Sequence, residues 1–182
     1  MSTPKYTLKI TLLGDGAVGK TSLRQRFMGA KFPTNYLITI GADFSLTERI
    51  IDEARVLYQV WDLAGQPSFK KVRELYYKGC YGALIIFDVT KQESLDSVEE
   101  WADELWTNNG RDNVPIVLLG NKSDLESAIP EEKILEKVEI LSAITREYGY
   151  EVPYLSTSAL NGDNVDEAFL KIGRLILESL SK

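Results

Sequence analysis

The sequence predicts an α/β fold: a six-stranded, mainly parallel sheet with helices on both faces and one antiparallel edge strand. Three observations predict it. Strand and helix patterns alternate along the chain without an internal repeat, a low-complexity stretch or a linker. Residues 81–89 (YGALIIFDV) and 114–120 (VPIVLLG) are short runs apolar on both faces, the pattern of central parallel strands covered by helices. A glycine-containing turn joins the first strand to the first helix. A length of 182 residues suits one domain with a substantial core, so the chain reads as a single unit over 1–182.

Taken in order, Leu8, Ile10, Leu12 and Leu13 form the first strand, and a helix follows from about Lys20 to Met28. Pro33 and Asn35 break the chain before residues 42–51, which Asp52-Glu53 joins to the strand Val56 to Leu63 as a hairpin. This hairpin supplies the antiparallel edge. Between the two apolar strands, Leu95, Val98, Ala102, Leu105 and Trp106 recur at helical spacing. Ile134, Val138, Leu141, Ile144 and Tyr148 mark the next amphipathic helix, and Val165, Ala168, Phe169, Ile172, Ile176 and Leu180 the last. These stripes are assigned to the core, Trp101 and Trp106 included.

Composition excludes several function classes. A net charge of −6 argues against nucleic acid as a partner, because that affinity comes from neutralising phosphates with Lys and Arg. The absence of histidine removes imidazole as a general base and any His-ligated zinc site. Cys80, the sole cysteine, can form no internal disulfide or thiolate cluster and reads as a small buried thiol. The start Met1-Ser2-Thr3-Pro4-Lys5 carries neither an apolar signal nor a glycine at position two. No apolar run is long enough to span a membrane, so a cytoplasmic location is expected.

In an open parallel sheet, ligands bind outside the carboxyl ends of the strands, and the motifs fall there. Gly14-Asp15-Gly16-Ala17-Val18-Gly19-Lys20-Thr21 fits G-x-x-x-x-G-K-[ST] between a strand and a helix. Glycines let the backbone wrap closely around phosphates, so that N–H groups and the helix N-terminus face negative charge. Lys20 would bridge the β- and γ-phosphates and the Thr21 hydroxyl would ligate Mg²⁺, with Ser22 completing the candidate nucleotide contacts. Asp62-Leu63-Ala64-Gly65-Gln66 follows a strand of alternating character, and Asp62 could hold Mg²⁺ through water. Taken alone, D-x-x-G reads more readily as a surface turn. Asn121-Lys122-Ser123-Asp124 follows the strand VPIVLLG and decides the base. A carboxylate at Asp124 accepts two adjacent donors of guanine that adenine lacks. Asn121 would tie this loop to the phosphate loop, the Lys122 stem would cover one base face, and Ser158-Ala159 would supply a backbone N–H to the guanine oxygen.

At this point the chain resembles the Ras superfamily of small GTPases over nearly its whole length, most closely the Rab branch. The segments YLITIGADF (36–44), WDLAGQ (61–66) and YYKGCYGALIIFDVT (76–90) are similar to Rab segments in wording as well as position. The resemblance implies a P-loop NTPase G domain that binds GTP and GDP. It implies that Phe32 packs on the guanine edge, Thr39 reaches Mg²⁺ and γ-phosphate, Gly65 donates its N–H to γ-phosphate, and Gln66 positions the attacking water. Lys20, Thr39 and Gln66 are then the candidate catalytic residues, and Thr21, Thr39 and Asp62 the candidate metal ligands. Residues 30–41 and 64–76 become switch I and switch II, through which effector, exchange-factor and GTPase-activating proteins would act on a protein expected to be a monomer.

Several positions depart from the Rab pattern. Leu160 stands where most Ras and Rab sequences have Lys, giving one base face an aliphatic cover. Pro67 replaces an acidic residue after Gln66 and should stiffen the start of switch II. Residues 125–150 run a few residues longer than a typical Rab equivalent. The chain ends Ser179-Leu180-Ser181-Lys182 without a cysteine to prenylate, so membrane anchoring is not encoded in it: either a tail was removed or the protein does not anchor itself in this way. Switch I contains Lys31 but no Arg, which points to slow intrinsic turnover and an Arg supplied by a partner. A GTP-binding module with negligible turnover is the alternative, and Gln66 and Thr39 argue against it. A metabolic phosphotransferase would need a basic lid that the sequence lacks.

Overall fold

The computed structural model describes residues 5–30 and 38–182. The chain runs β1 (Lys5–Leu13), α1 (Lys20–Phe27), β2 (Ala42–Ile51), β3 (Ala54–Leu63), α2 (Lys70–Tyr77), β4 (Gly82–Asp88), α3 (Gln92–Asp96), α4 (Val98–Asn108), β5 (Ile116–Asn121), α5 (Glu131–Thr145), β6 (Tyr154–Ser156) and α6 (Val165–Leu180). Among the described residues the strands form one six-stranded sheet in the order β2-β3-β1-β4-β5-β6. β2 is antiparallel to β3 and the other pairings are parallel, so the carboxyl ends of β1, β3, β4, β5 and β6 lie along one edge.

Side chains alternate across the central strands and so build a core on each face. Leu84 and Ile86 of β4, with Val117 and Leu119 of β5, pack under Leu23 and Phe27 of α1 and Phe169, Ile172 and Ile176 of α6. Ala83, Ile85 and Phe87 of β4, with Ile116 and Leu118 of β5, face Tyr77 of α2, Trp101 and Leu105 of α4, and Leu141 of α5. Phe27 and Phe169 stack with ring centroids 3.7 Å apart, and Tyr58 on β3 donates to Phe169 O at 2.7 Å. Among the described residues no helix is long and apolar enough to cross a membrane.

The sequence pattern differs from the structure in particular places. Helix α2 and the 3₁₀ turn before it, Pro67–Phe69, carried no periodic stripe long enough to read. The helical stripe beginning at Leu95 is two helices, parted at Ser97, whose hydroxyl bonds Glu93 O at 3.0 Å. β5 begins at Ile116 because Pro115 has no N–H to give the ladder. On α5 the buried residues are Ile134, Leu141, Ser142 and Thr145, while Ile144 and Tyr148 are exposed. A period of 3.6 carries the inward face from Leu141 to Thr145 and turns Ile144 out.

Candidate functional site

The loop Gly14–Gly19 leads from β1 to the first turn of α1, where Ser22 lies half-buried. Gly19 has a φ of 103°, and a Cβ there would stand 2.2 Å from Asn121 Nδ2, so only glycine allows the loop after β5 to close on the loop after β1. Val18 buries its side chain in the core, and Ala17 holds a left-handed φ of 66° at a cost of about 1–3 kcal/mol. Lys20 is buried, and its Nζ donates to Gly14 O at 2.7 Å and Asp15 O at 2.8 Å. Burial pushes its pKa down to about 8, against the opposing pull of Asp62 and Asp15. A buried ammonium held by carbonyls, without a carboxylate in salt-bridge contact among the described residues, is a seat for an anion.

Beside it, three oxygens converge. Thr21 Oγ1 donates to Asp62 Oδ2, and the hydroxyl of Thr39 lies 2.8 Å from that of Thr21. Asp62 is fully buried at the end of β3, and its Oδ1 has no hydrogen-bond partner among the described residues. Burial raises its pKa, opposed by the Thr21 hydroxyl and the charges of Lys20 and Arg24. Arg24 approaches Asp62 Oδ2 to 3.7 Å while its guanidinium binds Asp43 at 2.7 Å and Ser45 at 2.6 Å. Among the described residues no group of three or more His, Cys, Asp or Glu gathers to hold a metal. A cation here would rely on hydroxyls, one carboxylate and the oxygens of a ligand, the hard donor set that Mg²⁺ takes beside phosphates. The orphaned Asp62 Oδ1 fits that need.

The segment after β3 is pressed onto the loop after β1. A Cβ on Gly65 would stand 2.4 Å from Gly14 O and 2.7 Å from Gly16 N. Gln66 follows, with its Oε1 buried and without a hydrogen-bond partner among the described residues, and its side chain within 4 Å of where a Cβ on Gly16 would be. Such an acceptor suits a water molecule.

The loops after β5 and β6 close the other end. Asn121 Nδ2 donates to Val18 O at 2.9 Å, while its Oδ1 accepts from Thr157 Oγ1 at 3.2 Å and Ala159 N at 3.3 Å. Lys122, left-handed at φ 68°, reaches Ala17 O at 2.9 Å and Asp88 Oδ2 at 2.7 Å. Asp124 is exposed and accepts from the buried Ser158 Oγ at 2.7 Å. Leu160 stands exposed beyond Ala159. Phe32, like the rest of residues 31–37 of switch I, lies outside the described residues.

Two features escaped the sequence. Trp101 is more than packing: its indole N–H donates to Asp15 Oδ1 at 2.8 Å and so joins α4 to the phosphate loop. A hydrogen bond made by one edge of an otherwise buried indole leaves no trace in a periodic pattern. An aromatic cluster also runs from β2 through β3 to α2. Phe44 stacks on Trp61 with centroids 4.8 Å apart, Trp61 meets Tyr76 at 5.2 Å, and Ile38, Ile40 and Leu75 are also exposed. The signal available was the apolar residues on an edge strand that has little to cover it.

The sequence profile of the Ras family matches residues 9–178. The chain is similar to the Ypt/Rab-type GTPase ypt7 of Pyricularia oryzae, 36% identical over 176 residues that cover 95% of this chain and 83% of that protein. It is also similar to the Ypt/Rab-type GTPase ypt7 of Schizosaccharomyces pombe, 36% identical over 97% of this chain and 85% of that protein. To the GTP-binding protein YPT1 of Saccharomyces cerevisiae it is 36% identical over 97% of this chain and 82% of that protein. A glycine-rich loop at the end of β1 with a buried lysine, hydroxyls and a carboxylate gathered beside it, and a match over most of the chain lead to one conclusion: this protein belongs to the Ras family, on its Rab side.

Proposed function

We propose that the whole chain, residues 1–182, works as one GTP/GDP switch that binds its nucleotide along the carboxyl edge of the sheet and hydrolyses GTP slowly with Mg²⁺. Ras-family proteins bind GTP and GDP, hydrolyse GTP, and act through effector, exchange-factor and activating proteins. In this reading the backbone of Gly14 to Gly19 cradles the phosphates, Lys20 neutralises them, and Asp124 with Ala159 N selects guanine. Thr21, Thr39 and Asp62 would hold Mg²⁺, which when bound supplies the double positive charge that draws the phosphate oxygens together. Gln66 holds water through its free amide oxygen, and Thr39 and Gly65 keep the switches closed until γ-phosphate leaves.

The observation that carries this reading is the contact of Thr39 with Thr21 at 2.8 Å beside the orphaned carboxylate of Asp62. A loop tethered at the seat of a cation is a loop that can be let go. The apolar cluster of Phe44, Trp61 and Tyr76 lies on the strands between the two switch segments and at the end of the second, and suits an apolar partner face that would feel their movement. By likeness to the Rab-type relatives, the process served is membrane traffic.

Single-turnover hydrolysis by the purified protein tests it. The expected rate is about 10⁻³ per second or less, because the sequence of switch I (30–41) carries no Arg and such an Arg is worth about 10³–10⁵ in rate. Gln66→Leu should remove most of this turnover while GTP still binds. A partner-free rate of several per second, or full activity in that variant, would refute the mechanism; GTP binding without any turnover would favour a pure interaction module.

A further inference from the structure

A cavity of about 420 Å³ lies between the phosphate loop, the start of switch II and α4, and the guanidinium of Arg73 is part of its wall. Arg73 is 3% exposed. Its Nε and Nη2 bind the two oxygens of Glu104 at 2.7 and 3.1 Å, and the Tyr77 hydroxyl donates to the same carboxylate at 2.7 Å. Its Nη1 donates to Ala64 O and to Gln66 O, both at 2.9 Å. The ring of Trp101 lies 4.5 Å from the guanidinium, and Trp101 is itself bonded to Asp15. With four of its five N–H donors committed to protein groups, Arg73 cannot serve as the cation that meets a departing phosphate. It grips the backbone on both sides of Gly65 instead.

Pro67 acts on the same peptide from the other side. A proline excludes the helical region for the residue before it, and Gln66 is extended at φ −68°, ψ 142°. A buried ion pair is a weak source of stability compared with apolar side chains of the same volume. Here the Arg73–Glu104 pair provides something apolar residues could not, two directed bonds to the carbonyls that bracket Gly65.

We infer that Arg73, held by Glu104 and Trp101, and Pro67 are positioning residues that fix the backbone of Gln66 against the phosphate loop before any partner arrives. The inference rests on the reading of Gln66 as the residue that holds the attacking water. Misplacement by about 1 Å far from the reacting atoms costs on the order of 100-fold in rate, which sets the size of the effect.

The experiment measures single-turnover GTP hydrolysis with Mg²⁺, GTP and GDP affinity, and thermal melting of the full chain. Arg73→Lys keeps a charge for Glu104 but loses the fork, and should lower the rate about 10- to 100-fold with affinities changed less than about threefold. Pro67→Ala should lower it by about 2- to 5-fold. The apolar triple variant Arg73→Met, Tyr77→Phe, Glu104→Leu should melt close to the wild type yet remain as slow as Arg73→Lys, which a merely structural role would not produce. In a Gln66→Leu background, Arg73→Lys should change the residual rate less than about twofold, since two members of one device are not additive. A wild-type rate in Arg73→Lys or in the triple variant, or an equal loss with and without Gln66, overturns the inference and leaves the switch reading standing. A wild-type protein that binds GTP and never hydrolyses it overturns that reading, and the inference with it.

Discussion

Single carboxylates divide the chemistry of this protein by what surrounds them. Asp62 is buried with a free oxygen and Asp15 is spent on Ser97 and Trp101, whereas Asp124 is exposed with one oxygen taken by Ser158 at 2.7 Å. Asp124 thus retains acceptor capacity for a base. Asp124→Asn should invert base choice: its amide presents a donor where guanine presents its amino donor, while xanthine has a carbonyl there. Competition binding should find xanthosine triphosphate preferred over GTP by at least about tenfold in the variant. Equal competition would take Asp124 out of the base site. The identity of these residues was readable because each phosphate or base motif is a short run fixed by backbone geometry. Arg73, Glu104 and Trp101 were not readable, because they meet across α2 and α4 and share no spacing.

Elements differ in how much room they leave. α6 comes close to the β2–β3 hairpin at Gly173, where a Cβ would stand 2.1 Å from Tyr58 Oη and 2.3 Å from Ile51 Cδ1. Gly173→Val should destabilise the fold by about 2–3 kcal/mol or more through overpacking, measured as a lower urea midpoint, with nucleotide affinity unchanged once folded. An unchanged midpoint would mean that α6 shifts freely on the sheet. The apolar stripe of α6 and the two-faced runs of β4 and β5 announced themselves in the sequence, because burial on one stripe or on both faces writes a period into the chain. The eight residues of α2 did not. Their inward face is Arg73 and Tyr77, a polar anchor rather than a hydrophobic stripe, while Val72 and Leu75 point to solvent. Short β6 was expected as the last strand, before Ser158, but its bounds were not legible, since three residues are too few to show alternation.

At the scale of the molecule, charge is coupled to stability through Asp88 at the end of β4. Burial raises its pKa, but Lys122 at 2.7 Å and two bonds from Thr90 outweigh this, and the net shift is downward. A carboxylate lowered in the folded state stabilises it above the ordinary value near 3.9, and that contribution is lost as the pH falls through the lower folded value. Asp88→Asn should therefore cost about 2 kcal/mol in urea unfolding at neutral pH, and the gap to wild type should narrow below about pH 4. A gap that widens in acid would reverse the assignment. Asn121 supplies a different kind of coupling, since one side chain is bonded to the loops after β1 and β6 at once. The loops after β1, β5 and β6 are in effect riveted together at this end, whereas at the other end of the carboxyl edge the side-chain contact of Thr39 among the described residues is one hydroxyl pair with Thr21. We expect opening to begin there, so that a nucleotide would leave by that side and a protein that hastens its departure would press on it.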